Sequence, residues 1–100
     1  MNQMLKQAQK MQADMAALQE DLEQREFTAT SGGGMVEVTV DGMHLVKSIK
    51  INPEAIDPED AEMLEDLITV AVNEAISNAI KTSEEEMGAI TGGLNMPGLF

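Results

Sequence analysis

The apolar residues between Ala61 and Lys81 recur three and four positions apart, which is the spacing of one face of an α-helix. The stripe continues for about five turns, and polar residues take most of the opposite side. Its apolar members are Leu64, Leu67, Ile68, Ala71, Val72, Ala75, Ile76, Ala79 and Ile80. The pattern predicts a long amphipathic helix, with Asp57–Pro58 as N-cap and first helical residue and with Gly88 as its end. So wide an apolar stripe must be covered by other parts of the protein.

A second helix is predicted from Asn2 to Arg25, because this stretch contains no glycine or proline and is rich in good helix formers. Its apolar residues repeat with strict heptad spacing at Met1, Met4, Ala8, Met11, Met15, Leu18 and Leu22. This seam is narrow, and an isolated helix is marginally stable in water. The first helix is therefore expected to need a partner helix.

After Arg25, the spacing of the apolar residues changes from helical to alternating. Three short strands are predicted, over Glu26–Ser31, Val36–Val40 and Leu45–Ile51. Three glycines after Ser31 indicate a loop, and Asp41–Gly42 is typical of a two-residue hairpin turn. Lys47 interrupts an otherwise apolar face of the third strand, and Asn52–Pro53 ends that strand. The pattern indicates a three-stranded antiparallel meander with one covered face.

These elements predict an α+β fold in the order α-β-β-β-α, with long terminal helices. One helix can cover one face of a small sheet, which leaves the heptad seam and the outer flank of the long helix without cover. A second copy of the chain would supply that cover, so we expect an obligate, intertwined homodimer. The residues predicted to form the core or the dimer contacts are Met11, Met15, Leu18, Leu64, Ile68, Ala71, Val72 and Ala75.

The length of 100 residues is typical of a single domain, which we place at residues 1–90. Residues 91–100 contain glycine and proline without periodicity and are expected to form a flexible tail, although its apolar residues could also dock on a groove. Met1 to Lys10 does not resemble a secretion signal, so a cytoplasmic protein is expected. The absence of cysteine excludes disulfides and cysteine-ligated zinc.

The sequence offers little material for catalysis or metal binding. His44 is the single histidine, and no acidic residues or cysteines accompany it at metal-ligand spacing. Ser31–Gly34 lacks the lysine and the following helix of a phosphate-binding loop. Neighbouring carboxylates such as Glu84–Glu86 fan around a helix and do not converge on a metal. We therefore predict no enzymatic activity, no metal and no cofactor.

The chain is strongly acidic, with 18 acidic residues against six basic ones and a formal net charge of −12. Such a charge disfavours non-specific attraction to nucleic acid. Ordinary surface charge explains most of the basic residues, which are Lys6, Lys10, Arg25, Lys47, Lys50 and Lys81. Lys6 and Lys10 stand out because they lie one helical turn apart on the same face of the first helix.

Several segments of the chain, in their order and spacing, resemble the YbaB/EbfC nucleoid-associated proteins of bacteria. They are MLKQAQKMQ at residues 4–12, SGGGMVEVTVDG at 31–42, INP at 51–53, MLEDLI at 63–68 and NEA at 73–75. The resemblance covers nearly all of the chain. It implies a tweezers-like α/β dimer that binds DNA, organises the nucleoid and has no enzymatic activity.

The resemblance also implies where DNA would bind. Lys6, Lys10 and Lys47 keep a basic residue where the family pattern has one, so we expect them to contact the phosphates of duplex DNA with little sequence preference. The sequence departs from the family pattern at Ser77–Asn78 and Glu84–Glu86, since the last helix of the family often carries basic residues. A role in nucleoid organisation and gene regulation would follow.

The acidic surface leaves a second function open. An acidic protein–protein adaptor of the replication or recombination machinery would use the first helix or the tail as its docking surface. Loss of partner binding on deletion of residues 92–100, with DNA binding intact, would favour the adaptor.

Overall fold

The computed structural model describes residues 2–91. Its elements are helix α1 (Asn2–Gln24), strands β1 (Glu26–Ser31), β2 (Val36–Asp41) and β3 (Val46–Ile51), a 3-10 turn (Pro53–Ala55) and helix α2 (Ala61–Thr91). The strands form one antiparallel sheet in the order β1-β2-β3. The α-β-β-β-α fold predicted from the sequence is confirmed. Apart from Thr91, which belongs to α2, the tail predicted for residues 91–100 lies outside the described residues.

The centre of the core is the helix-facing side of β2. Val36, Val38 and Val40 are each 0% exposed, because alternate residues of a strand point to the same face of the sheet. The opposite face is polar. There the hydroxyl oxygens of Thr28 and Thr39, on neighbouring strands, lie 2.9 Å apart. The sheet therefore has one apolar face and one face exposed to solvent, as the alternating pattern predicted.

Helix α2 covers β1 and β2 through a row of alanines. Ala71, Ala75 and Ala79 are buried and belong to the same cluster as the β2 valines. Small side chains at these positions let the helix approach the sheet closely. Larger residues on both flanks of the row are half-buried against this cluster, namely Leu64, Leu67, Ile68, Val72 and Ile76.

The predicted ends of α2 are wrong at both sides. Asp57 caps an isolated turn, since its side chain accepts a hydrogen bond from the Glu59 N–H at 2.9 Å. The N-cap of α2 is Asp60, whose Oδ1 accepts a hydrogen bond from the Met63 N–H at 3.3 Å. At the other end the helix continues through Gly88, which does not have the positive φ of a helix-ending glycine.

The connection between β2 and β3 also differs from the prediction. Four residues, Gly42–Leu45, replace the predicted two-residue turn. The Asp41 carboxylate accepts hydrogen bonds from the N–H groups of Met43 (2.8 Å) and Leu45 (3.1 Å). The positive φ of this loop falls on His44 (68°) and not on Gly42. The carboxylate of Asp41 therefore determines the loop conformation.

Gly42 is needed because the end of α1 passes directly against it. A Cβ atom at this position would lie 1.7 Å from the carbonyl oxygen of Leu22. Leu22 itself is 5% exposed and is the one buried residue of α1. This close contact between backbones fixes the last turn of α1 to the hairpin loop.

The other part of α1 projects away from the sheet. Residues 2–10 are all exposed, and the molecule is 69 Å long with a radius of gyration of 19.1 Å. A compact domain of 100 residues has a radius of gyration of about 13 Å. The first half of α1 thus projects into solvent and is not covered by any other described part of the chain.

Candidate nucleic-acid interface

The charges of the chain are separated along its length. Residues 2–13, which we call the arm, contain Lys6 and Lys10 and no acidic residue. Residues 14–91, which we call the body, contain all 18 acidic residues and four basic ones. The arm is therefore a positively charged projection on a strongly negative body.

Lys6 and Lys10 are both exposed on α1 and four residues apart. The helical rise places them about 6 Å from each other along the axis. Neither forms an ion pair with any residue that the structure describes. Both ammonium groups are thus available to bind an anion outside the chain.

Most basic residues of the body are already paired with carboxylates. Lys50 Nζ lies 3.8 Å from Glu37 Oε2 across the outer face of the sheet. Arg25 binds both Asp21 and Glu86. Lys81 has no ion pair within residues 2–91, but three glutamates follow it on α2. The body therefore offers little free positive charge.

Lys47 lies on β3 and not on the arm. A β-bulge explains its interruption of the apolar face, because Ser48 pairs with Thr39 whereas Val46 pairs with Val40. Lys47 is the extra residue, and its Nζ lies 3.5 Å from Asp41 Oδ2. The N–H groups of Leu45 and Met43, together with Lys47, hold the pKa of Asp41 below its usual range. An ionised Asp41 thus partly neutralises Lys47.

The residues predicted for the core or the dimer contacts fall into two groups. Ala71 and Ala75 are 0% exposed on the sheet-facing side of α2. The others are half-buried, three of them on α1 and three on the flanks of α2: Met11, Met15, Leu18, Leu64, Ile68 and Val72. Their partial exposure leaves apolar surface that a further partner could cover.

The sequence does not predict the contacts of two residues near the end of α1. The sequence predicts Gly42 as a turn residue, but the close approach of Leu22 also requires a glycine there. From the sequence alone, Arg25 is ordinary surface charge. Its spacing from Asp21 is the i, i+4 spacing of a helical ion pair and could have indicated that contact. Its second partner, Glu86, is 61 residues away and leaves no local signal.

The described residues contain no cluster of three or more side chains that could hold a metal ion. Neither helix, over the part of the chain that the structure describes, has an apolar stretch long enough to cross a bilayer.

The fold and charge distribution define a small two-layer α+β protein with a projecting helix whose first half is basic. The YbaB/EbfC DNA-binding family matches residues 1–94, so the chain belongs to that family. The resemblance drawn from the motifs is confirmed. The family is one of DNA-binding proteins and not a known enzyme family.

Relatives of known name match over the whole chain. A nucleoid-associated protein of Alkaliphilus metalliredigens is 55% identical over 100 residues, which cover all of this chain and 88% of the relative. A nucleoid-associated protein of Pelotomaculum thermopropionicum is 53% identical, with all of this chain and 95% of the relative covered.

A solved structure supports the fold independently. The crystal structure of the uncharacterized protein HP0035 from Helicobacter pylori superimposes with a TM-score of 0.67 and 22% sequence identity. The match covers 85% of this chain and 89% of the other. At this identity the similarity concerns the fold alone.

Proposed function

We propose that this protein binds duplex DNA as a homodimer, with Lys6 and Lys10 of each arm on the phosphates. The observation that carries the proposal is the acid-free, exposed arm on a chain of net charge −12. Phosphate contacts position a protein on DNA without reading its sequence. Because the proposed contacts of Lys6 and Lys10 are to phosphates and not to base edges, we infer little sequence preference.

The length of the arm limits repulsion between the body and DNA. Lys6 precedes the first acidic residue, Asp14, by eight positions, which is about 12 Å along a helix. The Debye length at physiological ionic strength is about 8 Å. Lys6 is therefore largely screened from the body, whereas Lys10 is closer to it. Lys47 would contribute less, because Asp41 already pairs with it.

The second copy is inferred from the uncovered apolar surface of β3. Helix α2 packs on β1 and β2, and the helix-facing residues Val46 and Ile49 remain 46% and 43% exposed. Leu45, just before β3, is 55% exposed. The outer edge of β3 has no strand partner among residues 2–91. An apolar edge strand of this kind pairs readily with another chain, and a two-fold axis here would join two sheets and present two arms.

The dimer is tested by its mass and by a variant on this surface. Sedimentation at micromolar concentration should give about twice the mass of 10.8 kDa. Ile49→Lys should shift the protein towards monomer, because two added charges would meet across the axis. Ser48→Lys, on the solvent-exposed face of the same strand, should leave the dimer intact. A well-folded wild-type monomer at that concentration contradicts the dimer.

DNA binding is tested by reversing the charge of the arm. Lys6→Glu with Lys10→Glu should abolish a duplex gel shift without lowering thermal stability, since both side chains are exposed. Lys50→Glu with Lys81→Glu changes the net charge equally on the body and should weaken binding much less.

The salt dependence gives the number of contacts. If four lysines of a dimer contact phosphates, log K should fall with log salt at a slope of about −3.6. Binding that persists in the arm variant would rule out Lys6 and Lys10 as the site.

We infer association with the nucleoid, in keeping with the names of the relatives, and a role in nucleoid organisation and gene regulation. The large excess of acidic residues in the body also suits a protein partner, which would dock on the first helix or on residues 92–100. Absence of DNA binding by the wild-type protein at low salt would favour this adaptor function.

A further inference from the structure

The direction of the arm depends on a small number of contacts at the C-terminal end of α1, which we call the root of α1. Residues 2–10 touch nothing that would bury them, and burial along α1 begins with half-buried Met11 and becomes complete only at Leu22. Because the arm is a rigid helix, a small rotation at Leu22 moves Lys6, 16 residues away, through a large distance. The position of the lysines is therefore set where the last turns of α1 meet the hairpin loop and α2.

Packing at this root is incomplete. A groove of about 370 Å³ lies between the last turns of α1, the hairpin loop and α2, and it is lined by Leu22, Met43 and Met87 among others. The close contact between Leu22 and Gly42 lies on this side. Apolar contacts alone thus leave α1 room to tilt relative to α2.

An ion pair connects the two helices beside this groove. Arg25, the residue after α1, donates from Nη1 to Glu86 Oε2 and from Nη2 to Glu86 Oε1, the latter at 3.2 Å. Its Nη2 also donates to Asp21 of α1. The two carboxylates, Glu86 first, raise the pKa of Arg25 further above its ordinary value, so the guanidinium stays protonated. Bidentate geometry of this kind restricts orientation as well as distance.

We propose that Arg25 and Glu86 are positioning residues for the arm, and that the carboxylate of Glu86 strengthens DNA binding by this acidic protein. The proposal rests on the function proposed above. Among the described residues, this is the one ion pair that joins the root of α1 to α2. It holds both lysines of the arm in the direction in which they meet the phosphates.

The proposal predicts an effect opposite in sign to that of simple electrostatics. Glu86→Gln removes a negative charge, which by charge alone should tighten binding to a polyanion. If Glu86 positions the arm, the same substitution weakens DNA binding. The expected loss is about two- to fivefold if the Arg25–Glu86 pair has the strength of a good surface ion pair. Glu85→Gln is the matched control, because Glu85 is exposed, carries the same charge and forms no ion pair within residues 2–91.

The arm direction can be measured without DNA. The chain contains no cysteine, so Gln9→Cys and Asn73→Cys introduce two unique spin-label sites on the exposed surfaces of α1 and α2. Labelled chains are diluted into an excess of unlabelled protein, and the distance between labels is measured by double electron–electron resonance. Glu86→Gln should broaden or shift this distance distribution, and Glu85→Gln should not.

The outcomes separate this proposal from the function on which it rests. A changed distance distribution together with weaker DNA binding, in Glu86→Gln alone, supports it. An unchanged distribution overturns it whether or not DNA binds, and so does a Glu86→Gln variant that binds DNA as tightly as Glu85→Gln. If the wild type binds no DNA, a changed distribution still supports the positioning of the arm, whereas the DNA function itself fails.

Discussion

Ala71→Asp is expected to unfold the chain. Ala71 is 0% exposed and belongs to the buried cluster that contains the β2 valines. A carboxylate there would lose its hydration without gaining a partner, which costs several kcal/mol. Domains of this kind have a total stability of about 5–15 kcal/mol. Urea and thermal unfolding followed by circular dichroism would measure the loss, since the chain has no tryptophan or tyrosine for fluorescence.

Two neighbouring positions provide a graded control. Thr69 is exposed on the same helix, so Thr69→Asp should change stability little. Ile68 is half-buried, and Ile68→Asp should fall between the other two. A normal melting curve for Ala71→Asp would contradict the packing of α2 on the sheet.

Gly42→Ala is expected to separate the end of α1 from the hairpin loop. The added carbon would lie 1.7 Å from the Leu22 carbonyl oxygen and 2.5 Å from its carbonyl carbon, and neither backbone atom can move aside as a side chain could. Overpacking costs about 1–3 kcal/mol when side chains can adjust, so the loss should reach at least the upper part of that range. Urea unfolding measures the loss, and amide exchange in the last turns of α1 should become faster.

Gly88→Ala is the control for the loss of a glycine. Gly88 lies inside α2, and an added Cβ meets no heavy atom within 4 Å. Alanine is a better helix former than glycine by about 1 kcal/mol, so this variant should be more stable than the wild type. Equal effects of Gly42→Ala and Gly88→Ala would refute the spatial role of Gly42.

The elements of the fold could be predicted from the sequence because their periodicities are long and distinct. The alternation of Val36, Val38 and Val40 and the helical stripe around Ala71 are signals that tertiary contacts reinforce. The boundaries were harder. Asp57 and Asp60 are equally good N-cap residues, and local chemistry does not distinguish the isolated turn from the start of α2. Gly88 resembles a helix end, but nothing in its surroundings requires the helix to stop.

Part of the candidate site could be predicted because its signals are local in the sequence. The spacing of Lys6 and Lys10 is a local property, and so is the lack of acidic residues around them. The exposure of the arm could not be predicted in the same way. It depends on the position in α1 at which apolar contacts with the rest of the chain begin, and that position is set by the whole fold. The pairing of Lys47 with Asp41 depends on a bulge in β3, and the pairing of Arg25 with Glu86 joins distant parts of the chain.

The separation of charge between arm and body has a consequence for DNA that carries many copies of this protein. If the arms bind the phosphates as proposed, the bodies face outward, and each chain brings 18 acidic residues for the two lysines of its arm. A basic packaging protein neutralises the duplex and lets neighbouring duplexes approach. A coat of this protein would instead increase the negative charge seen from outside, so that coated duplexes repel one another and stay accessible to cationic proteins.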